Sequence, residues 1–210
     1  FDFSDDQKAL REHAQRFLRE NCSPAHLRKA LDAGEPFASA HWQQLCELGW
    51  SAIAVPEAVG GVGLGALEVC VLMEELGRAL SPAPFLSTVG MGVEILKRVE
   101  GEAAAVALAR IAADAAAVGV GLDSRWEGRT LPVFGAGRVS GRVANVRDLA
   151  SAAMLITPAR AEDGEALLLL VELGGAGVRR ERLTCMDPLV EFASAELDAA
   201  PAVALAVSAD

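Results

Sequence analysis

The sequence lacks the basic excess that binding to nucleic acids or to anionic membranes requires. Its 210 residues carry 19 Lys and Arg against 29 Asp and Glu, which gives a formal net charge of −10 and a pI near 4.8. A protein that binds duplex nucleic acid needs a basic footprint, and a polybasic membrane contact needs clustered Lys and Arg. We therefore expect no nucleic-acid partner.

Paired cysteines, targeting segments and long apolar runs are also missing. The four cysteines, Cys22, Cys46, Cys70 and Cys185, lie far apart and form no C-x-x-C pair. Their spacing favours reduced, mostly buried thiols in a cytoplasmic protein over a disulfide framework or a metal site. The opening residues contain no basic segment followed by an apolar one, so we expect no secretory signal. No apolar run approaches the roughly 20 residues of a membrane-spanning helix, so we expect no membrane partner.

The first half of the sequence has the patterns of amphipathic and buried helices. Ser4 and Gln7 form a capping box at the start of the first helix, and Pro24 suits the first turn of the second. Residues 55–65 are rich in Gly and Pro and predict a loop. The other predicted helices cover residues 39–48, 66–80, 85–99 and 102–113.

Beyond residue 115 the pattern changes to short β-branched segments separated by glycines. Strands are predicted at 116–122, around Val133, Val139 and Val143, and at 153–157, 166–173, 176–183 and 187–197. Residues 167–171 and 177–182 suggest a hairpin around Gly174 and Gly175. Six helices followed by about six strands predict an α+β chain with two domains, a helical domain at 1–114 and a β domain at 115–210.

Three segments of the helical half carry a family resemblance. They are FDFSDDQKALREHAQRFLRE at the start, LGWSAIAVPEAVGGVGLG (Leu48–Gly65) and VLMEELGRAL (Val71–Leu80). In this order and spacing they resemble the N-terminal domain of acyl-CoA dehydrogenases. The segments Gly135–Ile156 and Arg182–Ala202 resemble strands of that family's β domain more weakly.

The resemblance implies an N-terminal all-α domain followed by a small β-barrel-like or sandwich domain, with the family's C-terminal helical domain not represented. It also implies α,β-dehydrogenation of an acyl-CoA thioester, in which FAD performs the redox chemistry and the protein positions the substrate. The family's base is a Glu of the C-terminal domain, expected beyond Asp210, so no catalytic residue is assigned. The acidic balance of the chain means that a site for coenzyme A would need a local basic patch.

The flavin-contact positions of the family fall on unusual residues. Asp123, Ser124 and Arg125 stand where Thr-Glu-Pro is common. Asn145, Val146 and Arg147 stand where an aromatic residue, an aliphatic residue and a Thr or Ser are usual. An Asn offers no aromatic face, and Arg is long and cationic where a short hydroxyl is expected. The cofactor-binding positions that the resemblance implies, with degenerate residues, are Leu122, Asp123, Ser124, Asn145, Val146 and Arg147.

The leading hypothesis is an acyl-CoA dehydrogenase-like subunit that leaves FAD binding to a paralogous partner in a heteromeric enzyme. One alternative is an ordinary FAD-containing homo-oligomeric dehydrogenase seen as a truncated chain. A second is a non-catalytic assembly scaffold with a dehydrogenase-like fold. By resemblance, the electron acceptor would be an electron-transferring flavoprotein.

Other chemistry-bearing residues have ordinary structural interpretations. Glu74 and Arg78 are spaced as an i,i+4 ion pair on a helix. Glu57 and the four glycines at 60–65 suit a helix cap and turns, because no phosphate-binding motif surrounds them. Three histidines are expected to face solvent or to cap helices: His13, His26 and His41. A cluster of three arginines is expected on a solvated strand face, with a subunit or coenzyme A phosphate contact as the alternative: Arg179, Arg180 and Arg182.

Overall fold

The computed structural model describes residues 2–33, 39–122 and 130–207. Helices fill the first half and strands the second, which confirms the predicted α+β class. The helices are α1 (Asp5–Asn21), α2 (Pro24–Asp32), α3 (Ser39–Glu47), α4 (Ala66–Arg78), the π-helical segment π1 (Leu86–Val93) with the short α5 (Glu94–Leu96), and α6 (Glu102–Ala113).

The first helices begin at side-chain caps. The hydroxyl of Ser4 accepts from the backbone N–H of Gln7 at 3.2 Å, and the Gln7 side chain accepts from the Ser4 N–H at 3.0 Å. Ser23 and His26 form the same reciprocal arrangement at α2, with Pro24 in its first turn. Each capping box satisfies backbone donors that the helix itself leaves unpaired. The predicted capping box and the predicted place of Pro24 are both confirmed.

The predicted loop at residues 55–65 folds back on the segment before it. A single 3-10 turn (Glu57–Val59) lies within it. The backbone N–H groups of Val62 and Leu64 donate to the carbonyls of Ala52 and Ile53, at 3.0 and 2.8 Å. A Cβ at Gly61 would lie only 1.9 Å from the carbonyl oxygen of Val55, so only glycine fits there.

The predicted helix at 85–99 differs from the structure. Its first two turns are π-helical, α5 ends at Leu96, and Val99–Glu100 forms a short strand, β1. β1 pairs with the last residues of the chain's final strand, Val99 opposite Val207. Pairing with a strand so far along the chain is a tertiary contact that local periodicity does not reveal.

The second half forms a small closed barrel. The strands are β2 (Val118–Val120), β3 (Val133–Gly135), β4 (Arg138–Arg147), β5 (Met154–Ala161), β6 (Ala166–Glu172), β7 (Val178–Arg182) and β8 (Phe192–Val207). The pairings β4–β3, β3–β5, β5–β6, β6–β8 and β8–β4 close a ring, and β2 pairs in parallel with β5. Closure leaves no free edge in the ring.

The predicted hairpin between 167–171 and 177–182 is wrong. β6 pairs with β5 and β8, and β7 pairs only with β8 among the described residues. β8 continues past its predicted end at residue 197 and serves two sides of the barrel, since its first half pairs with β4 and β7 and its second half with β6. Ala199, with φ of 47°, lies at the first register shift in the pairing of β8 with β4.

The barrel packs against the helices through a shared apolar core. Val118, Met154, Ile156 and Leu205 of the strands belong to the same buried cluster as the helical residues. A buried polar contact crosses the same boundary, since the hydroxyl of Thr88 accepts from the N–H of Val118 at 3.0 Å. The two halves are therefore held in a defined orientation.

Candidate functional site

A cavity of about 260 Å³ lies between the two halves, at the end of β4. Its walls come from the C-terminal part of α4, the start of π1 and the segment 187–190 of the β half. The charged side chains that line it are Arg147 and Asp187. The apolar lining includes Met73, Leu76, Leu80, Phe85, Leu86 and Leu189.

The three predicted flavin-contact positions at the end of β4 lie at a β-bulge. Val143 pairs with Ala195 and Val146 with Ala193, so β4 has one more residue than β8 in this interval. Asn145 has a φ of 55°, a conformation that Asn adopts more readily than most residues. The left-handed backbone of the bulge is therefore a structural reason for Asn at this position.

The three residues face different surroundings. Val146 is 1% exposed and belongs to the barrel core. Asn145 is exposed, and Arg147 is half-buried where it lines the cavity. Among the six predicted cofactor positions, the structure thus brings Arg147 to the cavity and places Val146 inside the barrel.

Leu122 follows β2 and is 54% exposed. Asp123 and Ser124 lie outside the described residues, as does Arg125. The described backbone just before them is fixed, since the N–H of Gly121 donates to the carbonyl of Ile156 at 2.8 Å.

Arg147 lies beside a buried carboxylate. Its Nε is 3.5 Å from Oδ2 of Asp148 and is itself buried without a hydrogen-bond partner among the described residues. The same Asp148 oxygen accepts the hydroxyl of Ser87 at 2.6 Å, which joins the barrel to π1. Burial raises the pKa of Asp148 from 3.8 to about 6, and the Ser87 hydrogen bond and Arg147 only partly oppose that rise.

A second buried carboxylate, that of Glu191, belongs to the segment that is hydrogen-bonded to Asp148. Glu191 is 4% exposed and accepts from the backbone and the hydroxyl of Ser151, at 3.0 and 3.2 Å. Arg182 lies 3.3 Å from its other oxygen. The carbonyl of Glu191 also accepts from the N–H of Asp148 at 2.8 Å. These contacts fix the turn that follows Arg147.

The side chains at the predicted flavin-contact positions of β4 do not match those that the family resemblance implies. Asn145 has no aromatic face to pack on the ring, and the guanidinium of Arg147 has donors but no acceptor and a permanent positive charge. Val146 faces the barrel core. The side chains present at the end of β4 thus differ from the family's flavin contacts in shape and in charge.

The arginine cluster of β7 is exposed, as expected for a strand face, but two of its members have structural roles. Arg180 donates to the carbonyls of Leu149, Ala150 and Ala152 at 2.8–3.1 Å. Arg182 pairs with Glu191. These contacts hold the turn after β4 and use the two guanidinium groups within the chain.

One histidine contradicts the prediction. His26 caps α2 and His13 is exposed, as expected. His41 is only 8% exposed, lies 2.9 Å from the hydroxyl of Ser81, and has its pKa lowered by burial. It stacks near Phe17 with ring centroids 6.3 Å apart, so packing rather than solvent sets its surroundings.

The thiols are also less buried than predicted. All four cysteines are free, but only Cys22 is fully buried; Cys46 and Cys185 are half-buried and Cys70 is exposed. Burial raises the pKa of the Cys22 and Cys46 thiols, which keeps them protonated near neutral pH.

Buried carboxylates were missed by sequence reasoning in both halves of the chain. Glu74 forms the predicted ion pair with Arg78 at 3.1 Å. Its neighbour Glu75, whose side chain is 1% exposed, also contacts Arg78, at 3.2 Å. The position of Glu75 on the apolar stripe, directly before Leu76, was the available signal. Nothing in the sequence around Asp148 indicates that it is buried, although Asp tolerates the positive φ found there.

Across residues 2–33, 39–122 and 130–207, no three His, Cys, Asp or Glu side chains group as metal ligands do. In the same part of the chain, no helix has the length and apolar character needed to cross a membrane.

Comparisons with known proteins agree with the fold. The family model described as acyl-CoA dehydrogenase, N-terminal domain, matches residues 4–114, more than half of the chain. Acyl-CoA dehydrogenase IpdE2 of Mycobacterium tuberculosis is 30% identical over 103 residues, which are 49% of this chain and 32% of that protein. Benzylmalonyl-CoA dehydrogenase of Aromatoleum aromaticum is 37% identical over 78 residues, 37% of this chain and 20% of that protein.

A solved structure matches the whole chain. The crystal structure of the ChsE4-ChsE5 complex from Mycobacterium tuberculosis superposes with a TM-score of 0.86 at 25% identity, covering 100% of this chain and 58% of the matched one. The chain therefore spans about a third or less of these curated relatives and under two thirds of the matched structure.

Proposed function

The chain belongs to the acyl-CoA dehydrogenase family, and we propose that it is the non-flavin-binding subunit of a heteromeric enzyme that dehydrogenates an acyl-CoA thioester. The observation that carries the proposal is the pair Asn145 and Arg147 at the family's flavin-contact positions, with Arg147 lining the cavity between the two halves. The partner would be a paralogue that binds FAD and supplies the redox chemistry.

The side chains of Arg147 and Asn145 support the proposal that the partner, and not this chain, binds FAD. A guanidinium remains protonated at all physiological pH values and presents its donors in a rigid fork. The exposed Asn145 replaces an aromatic side chain whose face would bury against a ring, a contact worth about 0.5–1.5 kcal/mol beyond its area. Loss of that contact, together with a long side chain where a short hydroxyl is usual, would weaken flavin binding without disturbing Val146 in the barrel core.

The heteromeric part of the proposal is supported by the matched structure, which is a complex of ChsE4 with ChsE5. By family, the substrate would be an acyl-CoA, the acceptor an electron-transferring flavoprotein, and the compartment the cytoplasm. Oligomerisation with a dehydrogenase paralogue would provide the flavin that Asn145 and Arg147 do not favour here.

The test is purification of the full protein alone and after co-expression with an FAD-binding paralogue from the same genome. Flavin per chain is measured from visible absorbance and from the protein concentration, and acyl-CoA dehydrogenation is followed with an artificial electron acceptor. We expect little flavin and no turnover for the protein alone, and both in the complex. Stoichiometric flavin with turnover in the protein alone would refute the proposal.

A charge-matched control separates the partner's contribution from this chain's. Arg179, an exposed residue of β7, is changed to Met in the complex alongside Arg147→Met. If the flavin belongs to the partner, both variants retain the flavin content of the wild-type complex. A selective loss of flavin in Arg147→Met would place a flavin at this chain's own site and contradict the proposal.

A further inference from the structure

The cavity at the end of β4 combines an apolar wall with one cation. Met73, Leu76 and Leu189 are among the side chains that form the wall, and Arg147 lines the same space. Ligand sites of proteins are commonly apolar cavities of about 300–1,000 Å³ with a few polar groups that fix orientation. At about 260 Å³, this cavity suits a small ligand with an apolar body.

The guanidinium of Arg147 has unused hydrogen-bonding capacity. Its Nε is buried beside Asp148, and none of the hydrogen bonds within the described residues involves the terminal nitrogens of this half-exposed side chain. Within the same residues, its ion-pair contact is with Asp148, at 3.5 Å. Arginine carries five donors in a planar fork that matches a carboxylate, and a buried donor left unpaired calls for an explanation.

Asp148 contacts this cation at 3.5 Å without accepting a hydrogen bond from its Nε. Its Oδ2 is already bound by the hydroxyl of Ser87 at 2.6 Å. Asp187, the other charged group of the lining, is exposed and accepts from the N–H of Leu189 at 2.9 Å.

We propose that this cavity binds a small organic carboxylate with an apolar body, and that Arg147 is its anion-binding residue. The inference rests on the proposed function, because Arg147, one of the predicted flavin-contact positions, lines the same space.

The probe is hexanoate, with 1-hexanol and hexylamine as neutral and cationic controls of similar length. Binding is followed in the full protein by NMR of methyl-labelled methionine, with the Met73 signal assigned from Met73→Leu. Met73 lines the cavity, whereas Met154 is fully buried in the core between the halves. A saturable shift of Met73 with Met154 unchanged is expected for hexanoate, with a dissociation constant on the order of 1 mM.

The alcohol and the amine should bind at least about tenfold more weakly, because hydrogen bonds to a charged group contribute that much or more. Arg147→Met should weaken hexanoate by a similar factor and leave hexanol unchanged, while Arg179→Met should change neither. Retained binding of hexanol by Arg147→Met shows that the variant is folded at the cavity.

Equal affinity for hexanoate and hexanol, or unchanged hexanoate binding in Arg147→Met, would overturn the inference and leave the proposed function intact. The absence of any Met73 shift in flavin-free protein would overturn it as well. Stoichiometric flavin absorbance in the same sample would instead identify failure of the proposed function.

Discussion

The loop after α3 and the bulge at the end of β4 both resemble family segments, yet their residues are constrained in different ways. In the loop, backbone contacts as close as that of Gly61 with Val55 leave no room for another side chain. At the bulge, only Val146 enters the barrel core, while Asn145 and Arg147 face outward or line the cavity. Side chains alternate along a strand, so contact residues can change while the core residue between them keeps the barrel.

The largest effect is expected in the loop, at Gly61. Gly61→Ala places a Cβ 1.9 Å from a backbone oxygen, and we expect a loss of more than about 4 kcal/mol in the free energy of unfolding, or no folded protein. Urea denaturation followed by circular dichroism measures the change.

The matched control is Gly77→Ala. Gly77 lies in α4 without a positive φ, and a Cβ added there would have nothing within 4 Å, so alanine should stabilise by about 0.5–1 kcal/mol. If both variants unfold at the urea concentration of the wild type, the loop is not constrained as the structure indicates.

A second prediction concerns the carboxylate buried directly after the bulge. The pKa of Asp148 is raised in the folded state to about 6, so folding takes up a proton between that value and 3.8. The stability that protonated Asp148 contributes is full below about pH 4 and is lost as the pH rises through about 6. Asp148→Asn should remove this dependence while still accepting the Ser87 hydroxyl.

The measurement is the difference in unfolding free energy between wild type and Asp148→Asn from pH 4 to pH 7. Relative to Asp148→Asn, the wild type should lose about 2 kcal/mol of unfolding free energy as the pH rises from 4 to 7. Taking the difference cancels the contributions of other carboxylates to the pH dependence of stability. Glu94 is one with the opposite trend, because Lys97 and Arg98 lower its pKa against the opposing effect of burial. A constant difference over the range would contradict the assignment to Asp148.

An effect no larger than this is expected from the buried carboxylate of the helical half, which follows the loop on α4. Glu75 and Glu74 contact the same two arginines, Arg11 and Arg78, but their side chains are 1% and 50% exposed. Glu75→Gln should destabilise by about 2 kcal/mol, because a buried hydrogen-bonded charge is lost. Glu74→Gln should cost less than about 1 kcal/mol, as for other exposed pairs. Equal effects in thermal denaturation would show that burial is not the deciding factor.

The sequence was sufficient for features that local chemistry determines. The capping box at Ser4, the glycine-rich loop and the change from helical to strand periodicity near residue 115 are all confirmed. The family resemblance then indicated which barrel architecture the strands would form. The capping box, the loop glycines and the change of periodicity each lie within the segment whose structure they predict.

Long-range pairing was beyond local reasoning. The hairpin prediction failed because β7 and β6 each pair with a different half of β8, a partner further along the chain. The burial of His41 and Glu75 follows from which helices pack together, α1 against α3 and α4. The candidate site depended on both, since Arg147 was singled out by sequence but Asp148 and Ser87 meet only in the folded chain.

Asn145 and Arg147 are proposed to leave this chain without a flavin site of its own, and calorimetric titration of FAD into the full protein addresses that proposal without relying on turnover. The protein is purified without its partner, and the partner-containing complex, stripped of flavin, is the positive control. We expect no saturable binding by the protein alone. Saturable binding of one FAD per chain would mean that Asn145 and Arg147 do not prevent a flavin site, and the proposed division of labour would be wrong.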